Sequence, residues 1–250
     1  MLRLLWLIPG AVTAYILLLC VSALLVDTRR EYEKNSRFYR WLLNGATACC
    51  IFIMRIRLSV TGREKLPEGR FLLVCNHRSN FDPIVTWYAL KGNDLAFISK
   101  RENFRIPVFG RIIRRCCFMA IDRESPRRAM ETINRAAGLI RKDEVSVAVY
   151  PEGTRSHGGE LLPFHNGVLK IAQRAGAPIV VATVQGTERI AKNLPLRPSR
   201  VSLDILGVVS AEDAAAQRTA VLGEGIRAMM LDNLQKQAPA SEPQGRRADI

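Results

Sequence analysis

The chain opens with an uncharged and largely apolar stretch over residues 4–26. About 20 consecutive apolar residues are enough to cross the hydrocarbon core of a bilayer. Only Arg3 precedes this stretch, whereas several basic residues follow it closely: Arg29, Arg30, Lys34, Arg37 and Arg40. The pattern predicts a transmembrane helix over about 4–26. The excess of positive charge after it predicts that the rest of the chain lies on the cytoplasmic face.

A cleaved signal peptide is the alternative for this first stretch, because residues 21–23 resemble a small-residue cleavage site. The length of the run and the basic residues after it favour an uncleaved anchor. A second uncharged run covers residues 41–54 and is short for a crossing. It predicts either a short membrane-associated helix or a core helix of the next domain. We therefore expect an N-terminal membrane anchor over residues 1–56.

Beyond residue 56, short apolar segments of strand character alternate with helical segments. The predicted strands are 57–61, 71–75, 95–99, 117–121, 145–150, 178–184 and 201–209. The predicted helices are 82–90, 126–141, 167–175 and 211–237. This alternation predicts an α/β domain over 57–237, with a central, mostly parallel sheet flanked by helices. The polar, proline-containing residues 238–250 are expected to form a disordered tail.

Lys and Arg number 37 against 23 Asp and Glu, so the formal net charge is +14. A surplus of this size suggests a polyanionic partner, such as nucleic acid, an anionic membrane surface or a phosphorylated substrate. No nucleic-acid-binding motif accompanies the charge, and aromatic residues make up only 7% of the chain. We therefore expect no nucleic-acid partner. The cysteines and histidines lack metal-ligand spacing, so no metal site is expected either.

A His–Asp pair follows the predicted strand 71–75, in the run CNHRSNFDP. His77 would lie at the carboxyl end of a buried strand, where α/β folds place their sites. Asp82, at the start of the next helix, could accept the proton on one ring nitrogen and leave the other free as a general base. The same aspartate could instead cap the helix N-terminus. The spacing alone therefore leaves catalysis open.

The run YPEGTRS follows the predicted strand 145–150. Gly153 allows close approach of the backbone, while Arg155 and the hydroxyl of Thr154 offer donors to a phosphate. Glu152 could position either this loop or the arginine. A polar turn without a binding role is the alternative interpretation.

Residues 100–128 are rich in Lys and Arg. Most of these side chains are expected to form a surface facing solvent or lipid headgroups. Lys100 and Arg123 differ, because each follows the end of a predicted strand. They could therefore face the same site as His77.

Four stretches, NHRSNFD, AIDR, YPEGTRS and GAPIVVATVQGT, stand in this order along the chain. They resemble the four ordered blocks of the glycerolipid acyltransferases, and most of all the bacterial 1-acyl-sn-glycerol-3-phosphate acyltransferases. The resemblance covers roughly residues 57–190. It implies a glycerol-3-phosphate acyltransferase-like fold and transfer of an acyl chain from acyl-CoA or acyl-carrier protein to the 2-hydroxyl of lysophosphatidic acid. The product would be phosphatidic acid, made at the cytoplasmic face of the inner membrane without a cofactor.

The resemblance also implies a role for each candidate residue. His77 would be the general base and Asp82 its orienting partner. The substrate phosphate would be held by Lys100, Arg123 and Arg155. Glu152, Gly153 and Thr154 would shape the acceptor site, and residues 180–187 would line its remaining wall.

Two positions depart from the family pattern. Cys117 stands close to where a glycine usually precedes the second block, and Val181 stands where the fourth block usually has a proline. Both departures concern the fit of the acceptor. An acyltransferase for another lysolipid, such as lyso-ornithine lipid, therefore stays an alternative. A non-catalytic membrane-tethered binding protein is a further one.

Overall fold

The computed structural model describes residues 7–156 and 160–236. Two helices come first, α1 (Leu7–Leu24) and α2 (Arg37–Ile53). The strands are β1 (Ile56–Thr61), β2 (Leu72–Cys75), β3 (Leu95–Lys100), β4 (Met119–Ile121), β5 (Ser146–Val149), β6 (Ile179–Gln185) and β7 (Ser199–Val209). The remaining α-helices are α3 (Asp82–Ala89), α4 (Phe109–Arg115), α5 (Pro126–Arg141), α6 (Lys170–Ala175), α7 (Ile190–Asn193), α8 (Ala211–Ala216) and α9 (Thr219–Lys236).

All the strands belong to one seven-stranded sheet in the order β1-β7-β6-β2-β5-β3-β4. Neighbouring strands pair in parallel except β6 and β7, which are antiparallel. Every residue of β2 and of β5 is buried. Continuous apolar strands of this kind are typical of a parallel sheet covered on both faces. The predicted α/β fold with a mostly parallel sheet is therefore confirmed.

Strand β2 lies between β6 and β5 in this sheet. The three strands are parallel, so their carboxyl ends lie at the same edge. Three chain segments consequently meet there, the one after Cys75, the one after Val149 and the one after Gln185. The strand order therefore brings together loops that are far apart in sequence.

Helix α2 covers the run predicted as a short helix over 41–54, and it packs on α3 and α4. Leu42 and Leu43 belong to the hydrophobic core. The buried Arg40 guanidinium pairs with Asp94 at 3.1 Å and lies 4.6 Å from the ring of Trp87. The opposite face of the helix leaves large apolar side chains exposed, including those of Trp41 and Phe52. This helix therefore has both a core face and an exposed apolar face.

Across residues 7–156 and 160–236, no helix has the length and hydrophobicity needed to cross a membrane. The transmembrane helix predicted over 4–26 is therefore not confirmed, and its residues 4–6 lie outside the described part. Helix α1 begins at Leu7 and ends at Leu24.

The single helix predicted over 211–237 is wrong, because α8 and α9 are separate. Gln217 has an extended backbone between them. The side-chain amide of Gln173 donates hydrogen bonds to the carbonyls of Ala214 and Gln217, both at 2.8 Å. These bonds satisfy carbonyl groups that the end of α8 leaves free. Gln237 and the tail predicted over 238–250 lie outside the described residues.

Candidate functional site

The His77 ring contacts Asp82 directly. The distance from His77 Nδ1 to the Oδ2 oxygen of Asp82 is 2.8 Å. The aspartate side chain is fully buried, whereas the histidine side chain keeps 18% of its surface exposed. This geometry leaves the second ring nitrogen of His77 free of the carboxylate. The contact predicted from the five-residue spacing is therefore present.

Asp82 is the first residue of α3, and Phe81 occupies the N-cap position. The Asp82 carboxylate turns back to accept hydrogen bonds from the backbone N–H groups of Arg78 at 2.6 Å and Ser79 at 2.7 Å. Its other oxygen accepts a hydrogen bond from the hydroxyl of Thr187. Four donors thus surround one buried carboxylate and stabilise its negative charge. The helix-cap alternative for Asp82 is wrong.

Glu152 holds the loop that carries His77. Its carboxylate accepts a hydrogen bond from the N–H of His77 at 2.6 Å and another from the N–H of Leu162 at 2.9 Å. A further bond between the same segments joins the N–H of Ser156 to the carbonyl of His77 at 2.9 Å. Of the two possibilities for Glu152, a role in positioning the loop is the one that the structure supports.

Tyr150 provides a flat surface beneath the histidine. The rings of His77 and Tyr150 stack with centroids 4.5 Å apart, and Tyr150 in turn stacks on Phe97. Burial raises the pKa of the Tyr150 hydroxyl well above its ordinary value. The phenol therefore stays neutral and acts as a packing surface.

An apolar cavity of about 510 Å³ lies beside Tyr150, under the ends of β3, β4 and β5. Its walls are mainly aliphatic, from Ile98, Ile121, Ile133, Val149 and Val168. Arg123 and Gly153 also line it. A basic side chain and an apolar space are therefore both present next to the Tyr150 ring on which His77 stacks. We call this space the apolar cavity.

Gly153 has a left-handed backbone with φ of +69°, and a Cβ there would lie 2.8 Å from Cδ2 of His165. Both features favour glycine at this position. The other predicted ligands differ in placement. Arg155 is half-buried in the loop beside His77, whereas Thr154 is exposed. Lys100 is exposed at the end of β3 and is absent from the described walls of the apolar cavity.

Two contributors to the site escape the sequence-based prediction. Thr187, on the segment after β6, donates a hydrogen bond to Asp82, whereas the family resemblance implies for it only a place in the wall of the acceptor site. The buried Asn76 bridges β2 to β6, because its side chain bonds both the N–H and the carbonyl of Val184, at 2.7 and 3.0 Å. Each of these two residues follows the end of a predicted strand, and this position could have marked it as a candidate site residue. The sequence does not tell which strands are neighbours in the sheet, so their contacts could not be predicted.

We expect Glu152→Gln to change how stability depends on pH. Burial raises the pKa of Glu152, against the lowering effect of its hydrogen bonds from Leu162 and His77. A carboxyl with a raised pKa stabilises the folded state most at low pH, and this contribution is lost as pH rises through the folded pKa. As pH rises over the range from about 4, the ordinary pKa of a glutamate, through the higher pKa of the folded state, the unfolding free energy of the native protein should therefore fall relative to that of the variant.

Denaturant unfolding of both proteins across this range measures the difference. Glu160→Gln is the matched control, since it makes the same change at an exposed glutamate. A native-minus-Glu152→Gln difference that stays constant with pH would contradict the prediction.

A profile of the acyltransferase family matches residues 57–185. The chain is 29% identical over 201 residues to a 1-acyl-sn-glycerol-3-phosphate acyltransferase from Cocos nucifera, covering 79% of this chain and 64% of that protein. It is 28% identical over 181 residues to a protein of the same name from Salmonella typhimurium, covering 71% of this chain and 74% of that protein. The chain thus spans less than two thirds of the coconut relative.

A solved structure has a fold similar to that of this chain. The crystal structure of the 1-acyl-sn-glycerophosphate (LPA) acyltransferase from Thermotoga maritima matches with a TM-score of 0.69. The match has 22% sequence identity and covers 91% of this chain and 90% of that one.

The matched profile covers more than half of the chain and contains His77, Asp82 and Glu152. These residues form one bonded cluster at the edge of the sheet. The chain therefore belongs to the acyltransferase family.

Proposed function

We propose that this acyltransferase moves a fatty acyl chain from a thioester to the 2-hydroxyl of 1-acyl-sn-glycerol 3-phosphate, giving phosphatidic acid. The observation that carries the proposal is the partly exposed His77 ring bonded to a fully buried Asp82. The basic residues of the neighbouring loops and the names of the relatives support a phosphorylated lysolipid as acceptor.

His77 acts as the general base in this proposal. The free nitrogen, Nε2, removes the proton from the acceptor hydroxyl as its oxygen attacks the thioester carbonyl. Asp82 holds the ring with its proton on Nδ1 and stabilises the imidazolium that forms. When the tetrahedral intermediate collapses, the carbon–sulfur bond breaks, and His77 returns the proton to the leaving thiolate. The products are the ester and a free thiol.

The acceptor phosphate meets basic side chains on the loops around His77. Arg123 lines the apolar cavity, and Arg155 lies in the loop bonded to the His77 carbonyl through Ser156. Lys100, exposed at the end of β3, adds positive charge at the same edge of the sheet. We assign phosphate binding to these three residues, with Glu152, Gly153 and Thr154 shaping the loop.

The acceptor attacks the thioester directly, without a covalent acyl-enzyme. Cys75 is the thiol nearest to His77 in sequence, but its side chain is buried. Burial raises the pKa of the Cys75 thiol well above its ordinary value, and Asp82 raises it further. A thiol with a raised pKa is a poor nucleophile at neutral pH.

We further propose that the N-terminal residues 1–56 attach the enzyme to the cytoplasmic face of the inner membrane. Helix α1 exposes a row of large apolar side chains, which includes Ile16, Leu17 and Val21. Trp41 and Phe52 on α2 are also exposed. Exposed apolar surface of this extent marks an interaction site, and the lysolipid acceptor is itself held in a bilayer. The basic surface would strengthen attachment to anionic lipid.

We expect Val21→Asp to weaken membrane binding by about tenfold or more, because a carboxylate at a lipid-facing position costs several kcal/mol. Val221→Asp on α9 is a matched control, since Val21 and Val221 are 55% and 56% exposed. Flotation with vesicles containing phosphatidylglycerol measures the bound fraction of each. Equal binding of the two variants would contradict a membrane role for α1.

The proposed reaction is tested by following radiolabelled lysophosphatidic acid in the presence of the purified protein and palmitoyl-CoA or palmitoyl-acyl-carrier protein. Formation of phosphatidic acid with either donor supports the proposal. Acylation of lyso-ornithine lipid without acylation of lysophosphatidic acid would replace it with the other acceptor. Absence of transfer to either lysolipid would contradict an acyltransferase role for both.

A further inference from the structure

A second, larger cavity of about 1070 Å³ lies at the same edge of the sheet. It is lined by residues of β1, β7 and α9 and by the segment after β6. The apolar cavity lies under β3, β4 and β5, so strand β2 separates the two spaces in the sheet order. The two cavities therefore lie on opposite sides of the strand that leads to His77, and each has room for part of one of two substrates.

Arginine dominates the larger cavity, which we call the arginine cleft. Five arginines line it: Arg57, Arg78, Arg189, Arg200 and Arg227. Two acidic residues, Glu160 and Glu188, oppose them, and Glu188 already pairs with Arg189 at 3.7 Å. Within the described part of the chain, neither the Arg57 nor the Arg200 guanidinium has an ion-pair partner. The cleft therefore has positive charge available for an anionic ligand.

The arginine cleft is continuous with the catalytic cluster. Arg78 follows His77 directly, and its N–H bonds Asp82 at 2.6 Å. Gly186, also in the wall, precedes Thr187, whose hydroxyl bonds the same carboxylate. The inner end of the cleft is thus formed by neighbours of the residues that hold His77.

The outer end of the cleft is farther from His77. Arg200 lies on β7 and Arg57 on β1, and the two residues are paired across these parallel strands. Strands β6, β7 and β1 follow β2 in that order, so β1 is about 14 Å from β2 at the usual spacing between strands. An anionic group bound by Arg57 and Arg200 would therefore be well separated from the reacting atoms.

This separation distinguishes the two substrates. In lysophosphatidic acid the phosphate is close to the reacting hydroxyl, which requires basic groups next to His77. In acyl-coenzyme A a long pantetheine arm separates the thioester from a diphosphate and a 3′-phosphate. Arginine forks suit such phosphates, and Leu231 and Leu234 of α9 add an apolar surface for the adenine ring.

We propose that the arginine cleft binds the phosphorylated nucleotide of an acyl-coenzyme A donor, with Arg57 and Arg200 contacting its phosphates. The proposal rests on the acyltransferase function proposed above. It favours coenzyme A over acyl-carrier protein, because the arginines line a concave space rather than a convex surface that could meet an acidic protein. The pantetheine arm would run from the outer end of the cleft, at Arg57 and Arg200, past Arg78 to His77.

Paired substitution of Arg57 and Arg200 by alanine tests the proposal. We expect KM for palmitoyl-CoA to rise about tenfold or more, the effect of losing charge-assisted bonds to phosphate. The kcat value and KM for lysophosphatidic acid should stay at native values. The rate with S-palmitoyl pantetheine, which has no phosphate, should also be unchanged. Arg63→Ala is the matched control, an exposed arginine just after β1 and outside the cleft walls.

Three results would overturn the proposal. An unchanged KM for palmitoyl-CoA would show that the cleft does not bind the donor. An equal loss with S-palmitoyl pantetheine would show that the arginines act on something other than phosphate. An equal loss with palmitoyl-acyl-carrier protein would assign them to the single phosphate of the phosphopantetheine arm instead of the nucleotide.

Calorimetric titration with coenzyme A separates this proposal from the proposed function, because binding needs no catalysis. If the native protein binds coenzyme A through Arg57 and Arg200 but makes no phosphatidic acid, the proposed donor site stands and lysophosphatidic acid is excluded as the acceptor. If the native protein makes phosphatidic acid and the paired variant binds coenzyme A as tightly as the native protein does, the proposed donor site is wrong and the proposed function stands. Arg200→Lys, which keeps the charge but loses the fork, should have an intermediate affinity.

Discussion

Replacement of His77 by alanine is expected to lower kcat for phosphatidic acid formation by about 10²–10⁴-fold, the usual contribution of a positioned general base. The substitution removes only the imidazole. The N–H and carbonyl of residue 77 can still bond Glu152 and Ser156, so the loop should keep its shape. Initial rates at saturating lysophosphatidic acid and acyl donor measure the effect. KM for both substrates should change far less than kcat.

The fold of the His77→Ala variant is checked by its thermal unfolding midpoint, which should stay close to the native value. The Tyr150 ring loses its stacking partner but keeps its contact with Phe97. A variant that is folded and retains native kcat would contradict the assignment of His77 as the base. A structural role for the histidine would then remain.

Replacement of Asp82 by asparagine is expected to have the second largest effect, a loss in kcat of about a hundredfold or more. In the proposed mechanism the carboxylate stabilises the imidazolium that forms during proton transfer, and the neutral amide of the variant cannot. The amide can still fit the site, because the Thr187 hydroxyl can accept a hydrogen bond as well as donate one. The amide oxygen would then face the N–H groups of Arg78 and Ser79. The variant therefore tests charge more than shape.

Thr187→Val is the companion to Asp82→Asn. It removes the hydroxyl that bonds Asp82 and leaves the carboxylate in place. As a positioning residue, Thr187 should affect kcat by about tenfold, the effect of one charge-assisted hydrogen bond, while KM stays near native. Native kcat in Asp82→Asn would contradict the role of the carboxylate. A larger loss in Thr187→Val than in Asp82→Asn would show that position matters more than charge.

The apolar pattern was sufficient to predict the strands, because each of β1 to β7 overlaps a predicted segment. Strand positions follow from short runs that must be buried on one or both faces. Helix ends were less predictable. The break between α8 and α9 depends on the Gln173 side chain, which comes from α6 and caps α8 from outside.

The His77–Asp82 contact could be predicted because the two residues are five apart and share one turn of chain. Glu152 was identified as a site residue from its sequence motif, but its partner could not be predicted. The residue that it bonds, His77, is 75 positions away. Thr187 is 105 positions from Asp82 and has no distinguishing local pattern.

The sequence by itself therefore determined the α/β class, the strand segments and the local His–Asp pair, because all three depend on neighbours in the chain. The tertiary structure alone decided that β2 lies between β5 and β6, which brings Glu152 and Thr187 to the two sides of that pair. It also divided the basic residues between two cavities, with Arg123 in one and Arg57 and Arg200 in the other. Strand order results from long-range packing of the whole sheet, and no short stretch of sequence encodes it.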